Sequence, residues 1–183
     1  MQAGLGGGSS NAATTLWALN FLSGKPATET ELAEWGAEIG SDISFFLSQG
    51  TAYCTGKGEI IRPLSPLKAT SLWIVKPQMG LSTPQVYGKL EATTLLQRSP
   101  EKALASFFSG TPEYFNDLES SAFEILPELG EFKKKILSHG FSQVLMSGSG
   151  SSFFCVGDAD LSNLHGYLTF KAQFLNRSPD SWY

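Results

Sequence analysis

Four glycines fall within the five residues Gly4, Leu5, Gly6, Gly7 and Gly8, and Ser9, Ser10 and Asn11 follow at once. Glycine inside regular structure costs roughly 0.5–1 kcal/mol against alanine, so such a cluster implies a demand on the backbone. A loop of this kind feeding a helix offers successive unpaired N–H groups and a partial positive charge, which suits an oligophosphate. The candidate phosphate-binding residues are therefore Ala3, Gly4, Leu5, Gly6, Gly7, Gly8, Ser9 and Ser10, with the two hydroxyls available as donors or to a metal ion. A tight turn or a flexible chain end accounts for the same composition. A second glycine–serine run, Ser147, Gly148, Ser149, Gly150 and Ser151, sits between two apolar segments and reads as a turn between strands. Asp42 stands between Ser41 and the apolar Ile43-Ser44-Phe45-Phe46, an unusual setting for a merely solvated carboxylate, although a helix N-cap is an equally open role.

Other chemistries fail on particular residues. A P-loop closes on Lys-Ser/Thr, which the Gly8-Ser9-Ser10-Asn11 stretch lacks, and the dinucleotide pattern breaks at Ser9. A hydrolase elbow centred on Ser149 needs glycines where Ser147 and Ser151 stand. His139 and His165 lie beside no serine or cysteine motif, and paired metal-ligand spacings are missing.

The elements that must position these residues follow from periodicity. The loop feeds a helix over residues 10–22, whose Ala13, Leu16, Trp17, Leu19 and Phe21 form one strongly apolar side. Thr28-x-x-Glu31 is a capping box opening a helix to about Ile39. Residues 51–63 read as a hairpin turning at Gly56-Lys57-Gly58, and residues 71–77 as a buried strand ended by Pro77. A short helix over 82–90 is capped by Ser82 or Thr83. Further helices are expected at 101–108, 116–125, 128–138 and 161–168, with strands flanking the 147–151 turn and another at 171–175. Helices mixed with hairpin-type strands indicate an α+β fold.

Composition excludes several classes. The chain has 183 residues, 42% of them hydrophobic, and a net charge of −4, which disfavours a nucleic-acid surface. The single basic run, Lys133-Lys134-Lys135, is read as a solvated helix face in preference to a phosphate site. Cys54 and Cys155 lie in strand-like segments and are expected to be buried free thiols in a reducing compartment. No apolar run approaches the ~20 residues of a membrane span, and no signal peptide is visible.

Residues 4–13 resemble the second motif of the GHMP small-molecule kinases, whose Gly-Leu-Gly-x-Ser-Ser loop feeds a helix and wraps ATP phosphates. The triple glycine followed by Asn11-Ala12-Ala13 is similar to the branch of that family acting on a diphosphocytidyl-linked methylerythritol in non-mevalonate isoprenoid synthesis. The stretch from Glu38 to Glu59, the Phe115-Asn116-Asp117-Leu118-Glu119 stretch, the loop after Met146 and the ending Arg177-Ser178-Pro179-Asp180-Ser181-Trp182-Tyr183 agree with it in order and spacing.

The resemblance implies two lobes: the remainder of a ribosomal-S5-like ATP-binding lobe over residues 1–65, and a ferredoxin-like lobe over 66–183. It implies ATP and Mg²⁺, a small-molecule acceptor, no nucleic-acid or membrane partner, and a monomer or weak dimer in bacterial cytoplasm or plastid stroma. Asp42 would take or orient the proton of the acceptor's 2-hydroxyl, Ser147, Gly148, Ser149 and Gly150 would back the phosphate loop, Thr83 would lie near the acceptor alcohol or cap its helix, and Ser10 would touch the metal. A GHMP kinase for a sugar or mevalonate-type alcohol is a rival, against which the triple glycine and Asn11 argue. The family's first motif, with its catalytic lysine, precedes the glycine loop. No lysine here fills that position, so the chain is expected to be a fragment, inactive alone and retaining part of the ATP site.

Overall fold

In a computed structural model, residues 3–67, 70–159, 161, 164–178 and 181–183 are described. The chain divides into two compact units: Gly6–Thr70 with Gln173–Tyr183, and Met1–Leu5 with Ser71–Ala172.

The unit formed by Gly6–Thr70 and Gln173–Tyr183 has three helices and a hairpin. Helix α1 (Gly7–Leu22) starts three residues before the expected point, because Gly6 at φ 63° turns the chain so that Gly7 and Gly8 enter the first turn. Its apolar side is narrower than expected. Ala13 is buried and Leu16 and Trp17 pack with it, at helix spacings of three and four, whereas Leu19 and Phe21 are exposed. Asn20 clamps the turn that follows, donating to the Ala27 carbonyl at 2.9 Å and accepting from its N–H at 3.0 Å. Helix α2 (Glu29–Ile39) opens with the expected capping box, Glu31 N–H donating to Thr28 Oγ1 and Thr28 N–H donating to Glu31 Oε2. The apolar Ile43–Leu47 run forms α3, against which α2 packs closely at Gly36, where a Cβ would lie 2.8 Å from Ile43 Cγ2. Strands β1 (Ala52–Thr55) and β2 (Ile60–Pro63) pair antiparallel as the expected hairpin, with Tyr53 opposite Arg62.

Residues 173–183 return to this unit. The buried Arg177 guanidinium donates to the carbonyls of Leu47, Ser48 (3.0 Å) and Ser181 (3.0 Å), and pairs with Glu29 at 3.1 Å. It thus takes up the carbonyls left open at the end of α3. Trp182 stacks on Trp17 at 5.1 Å and also lies under the guanidinium, 5.4 Å away.

The unit formed by Met1–Leu5 and Ser71–Ala172 carries a four-stranded antiparallel sheet. Its strands are β3 (Leu72–Lys76), β4 (Gln143–Met146), β5 (Phe153–Val156) and β6 (Leu168–Ala172), in spatial order β4-β5-β3-β6. That is the strand order of a ferredoxin-like lobe. Between β3 and β4 run α4 (Thr83–Gly88), α5 (Pro100–Phe108), α6 (Leu118–Ile125) and α7 (Glu128–Leu137). Leu129, Phe132 and Ile136 recur at helix spacing on α7 and meet Val75, Val144, Met146, Phe153 and Cys155 of the sheet in one core.

Three expectations are corrected here. No helix forms over the described part of 161–168. Leu161 and Leu164 instead plug the core, joined by a 2.9 Å bond from Leu164 N–H to the Leu161 carbonyl, and Leu168 already begins β6. Residues 162 and 163 lie outside the described residues. Strand β6 runs over Leu168–Ala172 instead of 171–175, since pairing with β3 sets Val75 opposite Thr169 and Trp73 opposite Lys171. Lys133 is not a solvated charge: it pairs with Glu119 at 2.6 Å, both side chains largely covered, while Lys134 stays exposed beside Glu131. Among the described residues no helix is long and apolar enough to cross a membrane.

Candidate active site

The glycine run is divided between the units at the Leu5–Gly6 bond. From Gly6 onward it forms the N-terminus of a 16-residue helix with no side-chain cap. A Cβ on Gly6 would come 2.7 Å from the Phe46 ring, and its φ of 63° is left-handed, so glycine is required twice over. Gly7 and Gly8 differ: a Cβ on either would meet nothing within 4 Å. Ser10 N–H is the first to close an intrahelical bond, at 2.8 Å to the Gly6 carbonyl. The N–H groups of Gly7, Gly8 and Ser9 precede it and point out of the helix end without intrahelical partners. The donors and the open flank fit an oligophosphate chain. No group of three metal-ligating His, Cys, Asp or Glu side chains occurs among the described residues.

Asp42 stands at the N-cap position of α3 but makes no side-chain cap bond. Its backbone is right-handed helical, with φ −83° and ψ −8°, which directs the carboxylate away from the N–H groups a cap would take. The N-cap reading is thus answered: the carboxylate is exposed and uncommitted. The β1–β2 turn lies beside it, a Cβ on Gly58 falling 3.7 Å from Asp42 Oδ1. Cys54 of β1 is exposed, against the expectation of burial, because β1 has only β2 beside it among the described residues. Partial desolvation of its sulfur, and secondly the Asp42 charge, push the Cys54 thiol pKa up. Cys155 is buried as expected, and desolvation pushes its thiol up to about 12.

In the other unit, the Ser147–Gly150 turn is bonded to the start of the glycine run. Ser147 Oγ donates to the Gly4 carbonyl at 2.7 Å, and Ser152 N–H donates to the Ala3 carbonyl at 3.1 Å. Gly4 has φ 69°, and a Cβ there would overlap the Ser147 carbonyl oxygen and lie 2.9 Å from that of Gly150. No other residue fits. Thr83 does not cap α4, and neither does Ser82; Thr83 Oγ1 instead shares a 2.8 Å hydrogen bond with Ser149 Oγ.

The structure therefore joins Ala3 and Gly4 to Ser147 and Gly150, and Thr83 to Ser149, and sets Asp42 beside the hairpin turn. Sequence reasoning missed several supports. Asn116 Nδ2 donates to the carbonyls of Met146 and Gly148, each at 2.8 Å, and Glu119 Oε1 accepts from Met146 N–H at 2.8 Å. Lys76 Nζ donates to the carbonyls of Pro77 (2.7 Å) and Met79 (2.8 Å) and to Ser151 Oγ (3.0 Å). The signal for the first two was present in the Phe115–Glu119 stretch, whose polar residues have no solvent-facing period.

Comparison with known proteins gives this arrangement a family. Residues 1–50 match the model of the GHMP kinases N terminal domain, and residues 97–168 that of GHMP kinases C terminal. A crystal structure titled 4-(cytidine 5'-diphospho)-2C-methyl-D-erythritol kinase superposes with a TM-score of 0.82 at 31% identity, covering 97% of this chain and 68% of that one. The chain belongs to the GHMP kinases. Among curated GHMP relatives, it is 55% identical over its whole length to a 4-diphosphocytidyl-2-C-methyl-D-erythritol kinase of Protochlamydia amoebophila (strain UWE25), covering 61% of that protein. It is 43% identical to a chloroplastic/chromoplastic kinase of the same name from Solanum lycopersicum, over 99% of the chain and 49% of the relative. The chain thus spans about half to three fifths of the curated relatives named here. The α+β, two-lobe GHMP kinase fold expected from the sequence is the one observed.

Proposed function

We propose that this chain carries part of an ATP-dependent kinase that phosphorylates the 2-hydroxyl of 4-diphosphocytidyl-2-C-methyl-D-erythritol, a step of non-mevalonate isoprenoid synthesis. The observation that carries the reading is the start of α1: three unpaired N–H groups beside two glycines whose flanks are open, following a Gly4 that admits no side chain. The similarity to kinases of that name over the whole chain supports the substrate.

Phosphoryl transfer needs positioning and charge neutralisation more than covalent help. Gly7, Gly8 and Ser9 would hold the phosphates through their backbone N–H groups, with Gly6 turning the chain into the helix, Ser10 offering its hydroxyl, and Ala3, Gly4 and Leu5 leading the chain in. Ser147, Gly148, Ser149 and Gly150 would support that lead-in. Asp42, an exposed carboxylate committed to no cap, would orient the acceptor hydroxyl and take its proton. Thr83 would contact the acceptor through the hydroxyl it now shares with Ser149. Mg²⁺ would arrive with ATP and neutralise phosphate charge, with the Ser10 hydroxyl a candidate contact to it. The division into an ATP-binding part at 1–65 and a second lobe at 66–183, from which the compact units described above differ at residues 1–5 and 173–183, a cytoplasmic or stromal setting and a monomer or weak dimer belong to the same proposal.

The test is a coupled ADP-release assay on a protein containing this chain together with the family's upstream lysine motif, offered the diphosphocytidyl substrate, mevalonate and a galactose-type sugar. Turnover preferring the first supports the proposal, and preference for either of the others overturns it.

A further inference from the structure

We propose that Asn116 is a positioning residue for the nucleotide loop, acting through the Ser147–Gly150 turn on Gly4; this rests on the kinase reading above. Asn116 lies just ahead of α6, in a stretch that assigns it no chemistry of its own. Its amide is nonetheless fully used. Nδ2 donates to the Met146 and Gly148 carbonyls, which bracket Ser147, and Oδ1 accepts from Leu118 N–H at 3.0 Å. The partners fix the amide's orientation, because two carbonyls require the NH₂ group and an N–H requires the oxygen.

Ser147 is held at both neighbours, and it is the residue whose hydroxyl holds the Gly4 carbonyl at 2.7 Å. Gly4 stands two residues ahead of Gly6, the N-cap residue of α1. A side chain that sets the two carbonyls flanking Ser147 therefore sets where Gly4, the first glycine of the run, is held. Glu119 reinforces the arrangement from α6, taking Met146 N–H on one oxygen and Lys133 on the other. Asn116 touches neither the helix end nor any reacting atom assigned above, so its effect on nucleotide is indirect.

Asn116→Asp preserves shape and the acceptor to Leu118 while removing both donors, and turns a carboxylate on two carbonyls. The loss of both Asn116 donors, one bond part-buried and the other exposed, predicts faster amide exchange, by several-fold to about tenfold, at Gly150 and Ser152, which donate to Ser147 and Ala3. Exchange along β3 and β5 should hardly change. MgATP affinity, measured by calorimetry, should weaken about tenfold in the same variant. Asn116→Ser, which cannot span both carbonyls and adds no charge, serves as a second variant if the first does not fold. Ile136→Val, in the core of the same unit, controls for general loss of stability. Unchanged exchange at Gly150 and Ser152 overturns the proposal, as does a rise spread evenly over the sheet as in the control. Localised loosening with MgATP affinity intact overturns it too. If wild type binds no MgATP while the loop loosens as stated, the kinase reading falls and the hold of Asn116 on the loop stands.

Discussion

Gly4→Ala gives the sharpest test of how the glycine run is held. The docked conformation has φ 69°, which costs a residue with a Cβ about 1–2 kcal/mol. The new methyl would also overlap the Ser147 carbonyl oxygen, a backbone atom that cannot swing aside. Docking is held by two bonds, Ser147 Oγ to the Gly4 carbonyl and Ser152 N–H to the Ala3 carbonyl, worth about 1 kcal/mol each. Strain of about 2 kcal/mol or more therefore matches the whole of what holds the segment down, and it opens instead of distorting the sheet. At 1.4 kcal/mol per tenfold, the open population rises about 30-fold. Amide exchange at Ser152 reads this directly, with the Ser147 amide, bonded to the Ser152 carbonyl at 2.8 Å, as an internal reference. Unchanged exchange at Ser152, or an equal rise at both amides, would refute the reasoning. Gly7→Ala is the complement: nothing lies within 4 Å of its Cβ, so stability should move by less than about 1 kcal/mol, while MgATP binding weakens because the methyl sits beside the first-turn donors. Undiminished MgATP binding by this variant would remove the first turn of α1 as the phosphate cradle.

Asp42→Asn, in a protein with the family's upstream motif, should lower kcat by ~10²–10⁴ with little change in KM for ATP; a loss confined to KM removes Asp42 from the proton-handling role. The same substitution should speed alkylation of Cys54 at pH 8, because the Asp42 charge helps hold that thiol up; mass spectrometry that finds no acceleration would deny their proximity. Cys155, buried and pushed up to about 12, should stay unlabelled until the chain unfolds. The α2 capping box should be pH-sensitive: hydrogen bonds from Thr28 hold the Glu31 carboxyl below its ordinary 4.5, so its contribution is present above that value and lost as pH falls through the lowered pKa. Amide exchange at Glu31 that is flat through this range would contradict the box.

Local chemistry was legible where a residue type carries its own geometry. The capping box needs only Thr28 and Glu31 three apart, and the hairpin only strand-formers around Gly56 and Gly58, so both could be read without tertiary knowledge. The glycine run was legible as a loop, but its end was misjudged. Glycine's poor helix propensity argued against Gly7 and Gly8 in a helix, and the left-handed Gly6 overrode that preference by setting the entry angle. Residues 161–168 misled for the opposite reason: Leu161, Leu164 and Leu168 have helical spacing, yet the first two fill the core and the third joins a strand paired to β3. Cys54 looked buried because an apolar strand usually has two neighbours, and here β1 has one among the described residues.

What could not be read is the set of contacts made across long sequence separations. Ser147 reaches Gly4 across 143 positions, and Arg177 reaches the end of α3 across about 130. Neither leaves a period in the sequence, because each uses backbone carbonyls, which every residue possesses. Their placement nonetheless has a common logic. Asp42 begins α3 and the Arg177 guanidinium takes up the carbonyls at the other end of that five-residue helix, too short to hold itself. Gly4 enters a loop that offers no regular ladder, and Ser147 supplies the missing bond. In both units a distant side chain bonds to the backbone of the short segment that carries a candidate functional residue, where local structure alone would leave that backbone free to move.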